Sequence, residues 1–219
     1  MLMKWGDSMS MIAAATRKTA RKAKGDGHLR RAEILKAAER IFVAEGYEGA
    51  TIRRIADEVG VSSTALYMHF PDKAAILHEI TEITFRVLLA RNSEIAGLPL
   101  DPVVRVRMML EAYMQWGLEQ PNAYELVYCQ RGPVSNTPWP EGATDLSRQC
   151  YETFSDVVRE VAASGRLRKG TGDTAAKALW MACHGVVALA ASRPAFGWDD
   201  LDEIMTVTLD GMLYGLVID

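Results

Sequence analysis

Between residues 51 and 73 the chain has a run of side chains able to donate hydrogen bonds to an anion: Thr51, Arg53, Ser62, Ser63, Thr64, Tyr67, His69 and Lys73. Hydroxyls, a phenol, an imidazole and cations reach phosphate oxygens and base edges, and no acid interrupts the stretch from Ser62 to Phe70. Arg53 has the planar fork that matches the two acceptors of a guanine edge. For covalent chemistry the chain offers little. It lacks a Gly-rich phosphate loop and a nucleophile elbow, and the adjacent Cys183 and His184 would point about 100° apart on a helix. Cys129, Cys150 and Cys183 are odd in number and without CxxC spacing, and His28, His69, His78 and His184 do not pair with them at ligand spacing. Reduced thiols, no metal and no cofactor are therefore expected.

Two short helical patterns must position the donors. Ile52, Ile55, Ala56 and Val59 recur at helical spacing, with Thr51 as N-cap and Gly60 where a left-handed residue ends a helix. Val61 re-enters the core and Ser62 caps a second helix, which faces Leu66 and Phe70 inward and Ser63, Thr64, Tyr67 and His69 outward. Pro71 stops it, and Asp72 caps the next helix from Lys73. Helix, tight Gly turn, helix is a helix-turn-helix, whose second helix can enter a major groove. Spacing alone leaves open an ordinary solvated hairpin.

The residues also resemble a known family. Phe42, Gly46, Thr51, Ile55, Ala56, Gly60-Val61-Ser62, Leu66-Tyr67, His69-Phe70 and Lys73 match the DNA-binding domain of TetR-family bacterial repressors. The resemblance implies an all-α protein: an N-terminal three-helix helix-turn-helix domain followed by a larger helical ligand-binding and dimerisation domain. It implies DNA contacts from Arg30, Thr51, Arg53, Ser62, Ser63, Thr64, Ala65, Tyr67, His69 and Lys73, with Tyr67, His69 and Lys73 on phosphates. Arg30 and Arg31 would lie near the DNA backbone. Trp180, His184 and Gly185 further resemble the Trp-His-Gly pattern of one C-terminal subclass.

Charge is divided along the chain. The net charge is −3, yet residues 1–50 sum to +4 and the remainder to −7, so one basic end would meet a polyanion. Residues 1–28, without apolar periodicity, read as a basic arm. Residues 29–75 form the helix-turn-helix domain, beginning with a helix over Leu29–Glu45 that Gly46 ends. A connecting helix follows within 76–99, with Ile76, Leu77, Ile80, Ile83, Thr84, Val87 and Leu88 along one side, and Gly97-Leu98-Pro99 marks a domain boundary.

Residues 100–219 read as an effector-binding and dimerisation domain. Asp101-Pro102 opens a helix, a shorter one follows Pro121, residues 132–142 form a loop, and three more helices complete the chain. Met109, Tyr113, Trp116, Tyr128, Phe154, Trp180 and His184 could line a site for a small apolar or aromatic effector, though core packing explains most of them equally well. The last two helices are apolar on more than one face, which nominates Ala182, Val186, Leu189, Met205, Leu209, Met212 and Leu213 for a homodimer interface. The stretch Ala178–Ala191 reads as too short and too polar to span a bilayer, and a soluble cytoplasmic protein without a membrane partner is expected. The expected function is a dimeric regulator on a palindromic duplex operator, released by its effector. A TetR-like activator, a regulator without a small ligand and a helical protein-interaction adaptor are the alternatives.

Overall fold

A computed structural model describes residues 27–129 and 141–218. The basic arm and most of the loop read at 132–142 lie outside these residues. The described residues form helices joined by short turns, with one isolated antiparallel bridge, Leu167 to Val217, and no strand. The chain divides into two units, one ending at Ile80 and the other beginning at Thr81.

In the first unit, α1 spans Gly27–Gly49, α2 Ile52–Glu58 and α3 Ser63–Tyr67. Gly46, at φ 73° and ψ 160°, breaks α1 where the sequence places its end, and one further turn follows. Thr51 and Ser62 cap α2 and α3 by accepting from the Arg54 and Ala65 amides, each at 3.1 Å. Gly60 takes φ 68°, a conformation that strains any residue with a Cβ. Ile34, Ala38, Phe42, Ile55, Ala56, Leu66, Phe70 and Ile76 are fully buried and weld the three helices into one core.

The helix α4, Lys73–Ala96, begins in this unit, with Asp72 capping Ala75 at 2.7 Å, and continues into the second. The division between units falls inside α4 rather than at Gly97–Pro99, because Ile76 and Ile80 belong to the first core and Phe85, Leu88 and Ile95 to the second. Ile83, read as inward, is exposed, whereas Phe85 is fully buried. A helix with apolar residues on several faces does not announce which stripe will find a partner.

The second unit contains α5 (Pro102–Glu119), α6 (Pro121–Tyr124) running into a π-helical turn (Glu125–Cys129), α7 (Glu141–Ala163), α8 (Gly172–Ser192) and α9 (Leu201–Leu216). At its centre α8 packs against α5, α7 and α9. By length and composition α8 could cross a membrane, contrary to the reading of Ala178–Ala191. Ala175, Ala176, Leu179, Cys183 and Val187 on it are buried among neighbouring helices, while Met181 and Leu189 are exposed. Arg105, itself buried, holds the α4–α5 corner by donating to Ala96 O at 2.8 Å and Leu100 O at 3.1 Å while pairing with Glu160 on α7.

The two final helices correct part of the expected interface. Met205, Leu209 and Leu213 are buried within the protomer, so they cannot also face a second copy. Leu189 on α8, which was nominated, is exposed, and so are Met181 on α8 and Ile204, Val207 and Tyr214 on α9. Ala182, Val186 and Met212 are half-buried. Residues 204, 207, 211 and 214 follow helical spacing one or two positions away from 205, 209 and 213, so a helix with apolar residues on both stripes gave no basis for choosing between them.

Candidate functional site

On the first unit, α3 presents Thr64, Tyr67 and Met68 to solvent, spaced i, i+3 and i+4 on one face. Tyr67 is 54% and Met68 84% exposed, high values for side chains so apolar. On α2 Arg53 is 86% exposed, and Asp57 stands 4.0 Å from it. Thr51 and Ser62 are exposed, and because capping uses only their acceptor lone pairs, both hydroxyls keep an O–H to donate outward. Ser63, Ala65 and His69 are half-buried.

Three expected contacts are engaged inside the unit. Arg30 donates to Val59 O at 3.2 Å and pairs with Glu33 at 2.8 Å. Lys73 donates to Tyr47 O at 2.7 Å and lies over the Tyr47 ring at 4.2 Å, so its ammonium satisfies carbonyls at the end of α1. Arg31 is the tightest of the three. It makes a forked pair with Glu79 on α4, donates to His69 O at 2.5 Å and stacks over Phe70 with its guanidinium carbon 4.1 Å from the ring centroid. The expectation that Arg31 meets the DNA backbone gives way to a clamp fastening the end of α3 to α1 and α4, because Glu79 and His69 O sit where its planar fork can reach both.

In the second unit Tyr113, Trp116, Tyr124, Tyr128, Trp180 and His184 form a cluster with ring centroids 5.3–6.5 Å apart. Five of them are residues read as an effector lining, and the fold brings them together from α5, the π-helical turn and α8. Met109 and Phe154 are buried core residues of α5 and α7. His184 Nδ1 lies 2.9 Å from Tyr113 Oη and 2.8 Å from Tyr124 Oη, and Tyr124 also donates to His184 O at 3.1 Å. A single ring nitrogen serves one hydrogen bond well, so the second acceptor lets Tyr113 O–H take Nδ1. Burial lowers the His184 pKa and raises those of Tyr113, Tyr124 and Tyr128, so the cluster is neutral near pH 7. Desolvation likewise pushes the Cys150 and Cys183 thiols up to about 12, which leaves them poor nucleophiles.

Comparison with known proteins follows this division. The family described as "Bacterial regulatory proteins, tetR family" matches residues 34–80, and "Tetracyclin repressor-like, C-terminal domain" matches residues 106–212. The nucleoid occlusion factor SlmA of Vibrio vulnificus is 30% identical over 142 residues, covering 64% of this chain and 70% of that protein. This chain belongs to the TetR family. The transcriptional repressor KstR2 of Mycobacterium tuberculosis is 26% identical over 145 residues, covering 66% of this chain and 72% of the relative. Among solved structures, that of KstR2 superposes with a TM-score of 0.73 at 22% identity, covering 92% of this chain and 100% of that one. The regulator PfmR of Thermus thermophilus gives 0.70 at 23%, covering 86% and 98%.

Sequence reasoning about this TetR-family protein missed two features of its sites. Met68 lies outside the Leu66/Phe70 stripe, which was signal enough to expect it on the ridge. Tyr124 shares a helical face with Tyr128 four residues on, a spacing that could have linked both to one cluster.

Proposed function

We propose that this TetR-family protein is a homodimeric repressor that holds a palindromic operator through two copies of the α3 ridge. A small apolar or aromatic molecule, bound at the aromatic cluster, releases it. The supporting observation is the solvent-facing ridge of Thr64, Tyr67 and Met68 on α3, mounted on a fully buried core, with Arg53 exposed on the neighbouring α2. In this reading Thr51, Ser62, Ser63, Tyr67 and His69 donate to phosphates, Ala65 permits close approach, Met68 offers apolar contact to a thymine methyl, and Arg53 reads a guanine. Arg30 and Lys73 reach phosphate only by exchanging their present carbonyl partners. Two such ridges about 34–36 Å apart enter successive major grooves.

Selection of duplexes from a random pool tests the DNA reading. Enrichment of one palindrome bound by two protomers is expected, and purely salt-dependent binding with no enriched sequence would overturn it. Arg53→Ala is expected to weaken the selected duplex by about 1–3 kcal/mol and relax preference at one base pair. An unchanged sequence preference in a footprint would remove Arg53 from base reading.

Dimerisation rests on the exposed stripe of α8 and α9. The Cβ positions of Gly185, Gly211 and Gly215 meet nothing within 4 Å, which leaves room for a partner helix to approach, and two helices per protomer suit a four-helix interface. Val207→Glu is expected to yield folded monomers in sedimentation with an unchanged protomer fold. Leu209→Ala, at a buried site, instead destabilises the protomer by about 2–5 kcal/mol. A dimer that survives Val207→Glu would place the interface elsewhere.

For the effector, the solved complex of SmeT with triclosan, 22% identical at a TM-score of 0.67, is an example of this fold with an aromatic molecule. An effector shifts the operator equilibrium only by preferring one conformation of the protein. The unbroken helix α4, shared by the two units, is the element proposed to couple them.

A further inference from the structure

Two hydroxyls on α7, the helix whose Tyr151 borders the aromatic cluster, have hydrogen-bonding capacity that is unused. Tyr151 stacks edge-on against Trp180, with ring centroids 5.8 Å apart, so its ring borders the cluster. Ser155 lies four residues further along α7, on the same helical face, and is 0% exposed. The Tyr151 Oη and Ser155 Oγ atoms are buried and have no hydrogen-bond partner. Folded proteins seldom leave such atoms unmatched, because an unpaired buried hydroxyl costs about 1–3 kcal/mol. Their counterparts across the cluster differ: the Tyr113 and Tyr124 hydroxyls are already committed to His184.

The charge of any occupant is constrained as well. The rings around Trp180 belong to tyrosines, a tryptophan and a histidine, which supply no fixed charge to an anion or a cation. Arg91, whose Nε is the other unmatched buried atom among the described residues, already has its guanidinium paired with Glu94 at 2.7 Å. The rings meet one another tilted or edge-to-face, so their faces do not converge as a cage around a cation.

We infer that the effector of this site is an uncharged, flat, ring-bearing molecule with a hydroxyl or carbonyl oxygen, seated against Trp180 and hydrogen-bonded by Tyr151 and Ser155. This rests on the sensor reading above and gives it a chemical class.

The full-length protein can be titrated with three probes that share one ring system: 2-naphthol, 2-naphthoate and 2-naphthyltrimethylammonium. Tryptophan fluorescence and calorimetry would follow binding. The neutral probe is expected to bind best. Tyr151→Phe and Ser155→Ala should each weaken it about five- to tenfold, the worth of one hydrogen bond. Neither variant should lower thermal stability, since each deletes a hydroxyl that bonds to nothing in the folded protein. A merely structural role would give the opposite pattern, with lower stability and unchanged affinity. Preference for the charged probes, absence of binding by all three, or variants that bind 2-naphthol like the parent would overturn the inference. If 2-naphthol binds with the expected losses yet leaves the operator occupied, the site stands and release of DNA by an effector at this cluster fails.

Discussion

Phe70→Ala is expected to lower the stability of the DNA-binding unit by about 3–5 kcal/mol and to abolish specific duplex binding. Phe70 is fully buried at the exit of α3, and its amide donates to Leu66 O at 3.0 Å. The Arg31 guanidinium covers the ring from above, and the same guanidinium holds His69 O and Glu79. Truncating the ring opens a cavity under α3 and removes the surface on which Arg31 rests. The ridge residues Thr64, Tyr67 and Met68 then lose their fixed orientation although none of them has been altered. Denaturant unfolding and duplex titration of the same samples give the readout. Phe70→Leu, which keeps most of the volume, should retain most of both properties. Equal loss of DNA binding in the Leu variant without loss of stability would mean that the ring, rather than the packing, is needed at the DNA.

The second large effect is expected at Gly117 on α5. A Cβ added there would stand 2.5 Å from Val187 Cγ1 and 3.0 Å from Tyr124 Cδ2. Both neighbours are themselves fully buried and cannot retreat. Gly117→Ala should therefore destabilise the second unit by about 1–3 kcal/mol, the usual cost of overpacking, in spite of alanine's better helix propensity. Displacing Tyr124 should also break its hydrogen bonds to His184 and alter the near-ultraviolet dichroism of the cluster. Gly142 on α7 is the control, since the nearest atom to its added Cβ is 3.9 Å away and alanine should be tolerated there. Equal stability of the two alanine variants would show that α5 and α8 can separate to admit a methyl group.

How far the sequence could be read depended on how local each cause was. Caps and stops acted within a few residues, so Thr51, Ser62, Asp72 and Asp101 cap where expected, at 2.7–3.1 Å from their amides. Gly60 adopts positive φ after its helix as expected. Thr64 and Tyr67 on the ridge were legible for the same reason, since Leu66 and Phe70 define the buried stripe, whereas Met68 was missed and Ser63 and His69, read as outward, are half-buried. The partners of long flexible cations were not legible. Arg31 and Glu79 are 48 positions apart, and nothing local distinguishes an arginine that meets phosphate from one that meets a carboxylate.

By itself, then, the order of residues determined an all-helical chain with a helix-turn-helix near its start, because capping, glycine conformation and the 3.6-residue repeat are set by near neighbours. Tertiary structure alone decided which stripe of α9 is core, where Lys73 and Arg31 send their charges, and that Tyr113, Tyr124 and His184 bond to one another. It also left Tyr151 and Ser155 buried without a partner. These outcomes depend on which helix faces arrive at the same place, and an apolar face or a donor looks the same in sequence whatever it will meet.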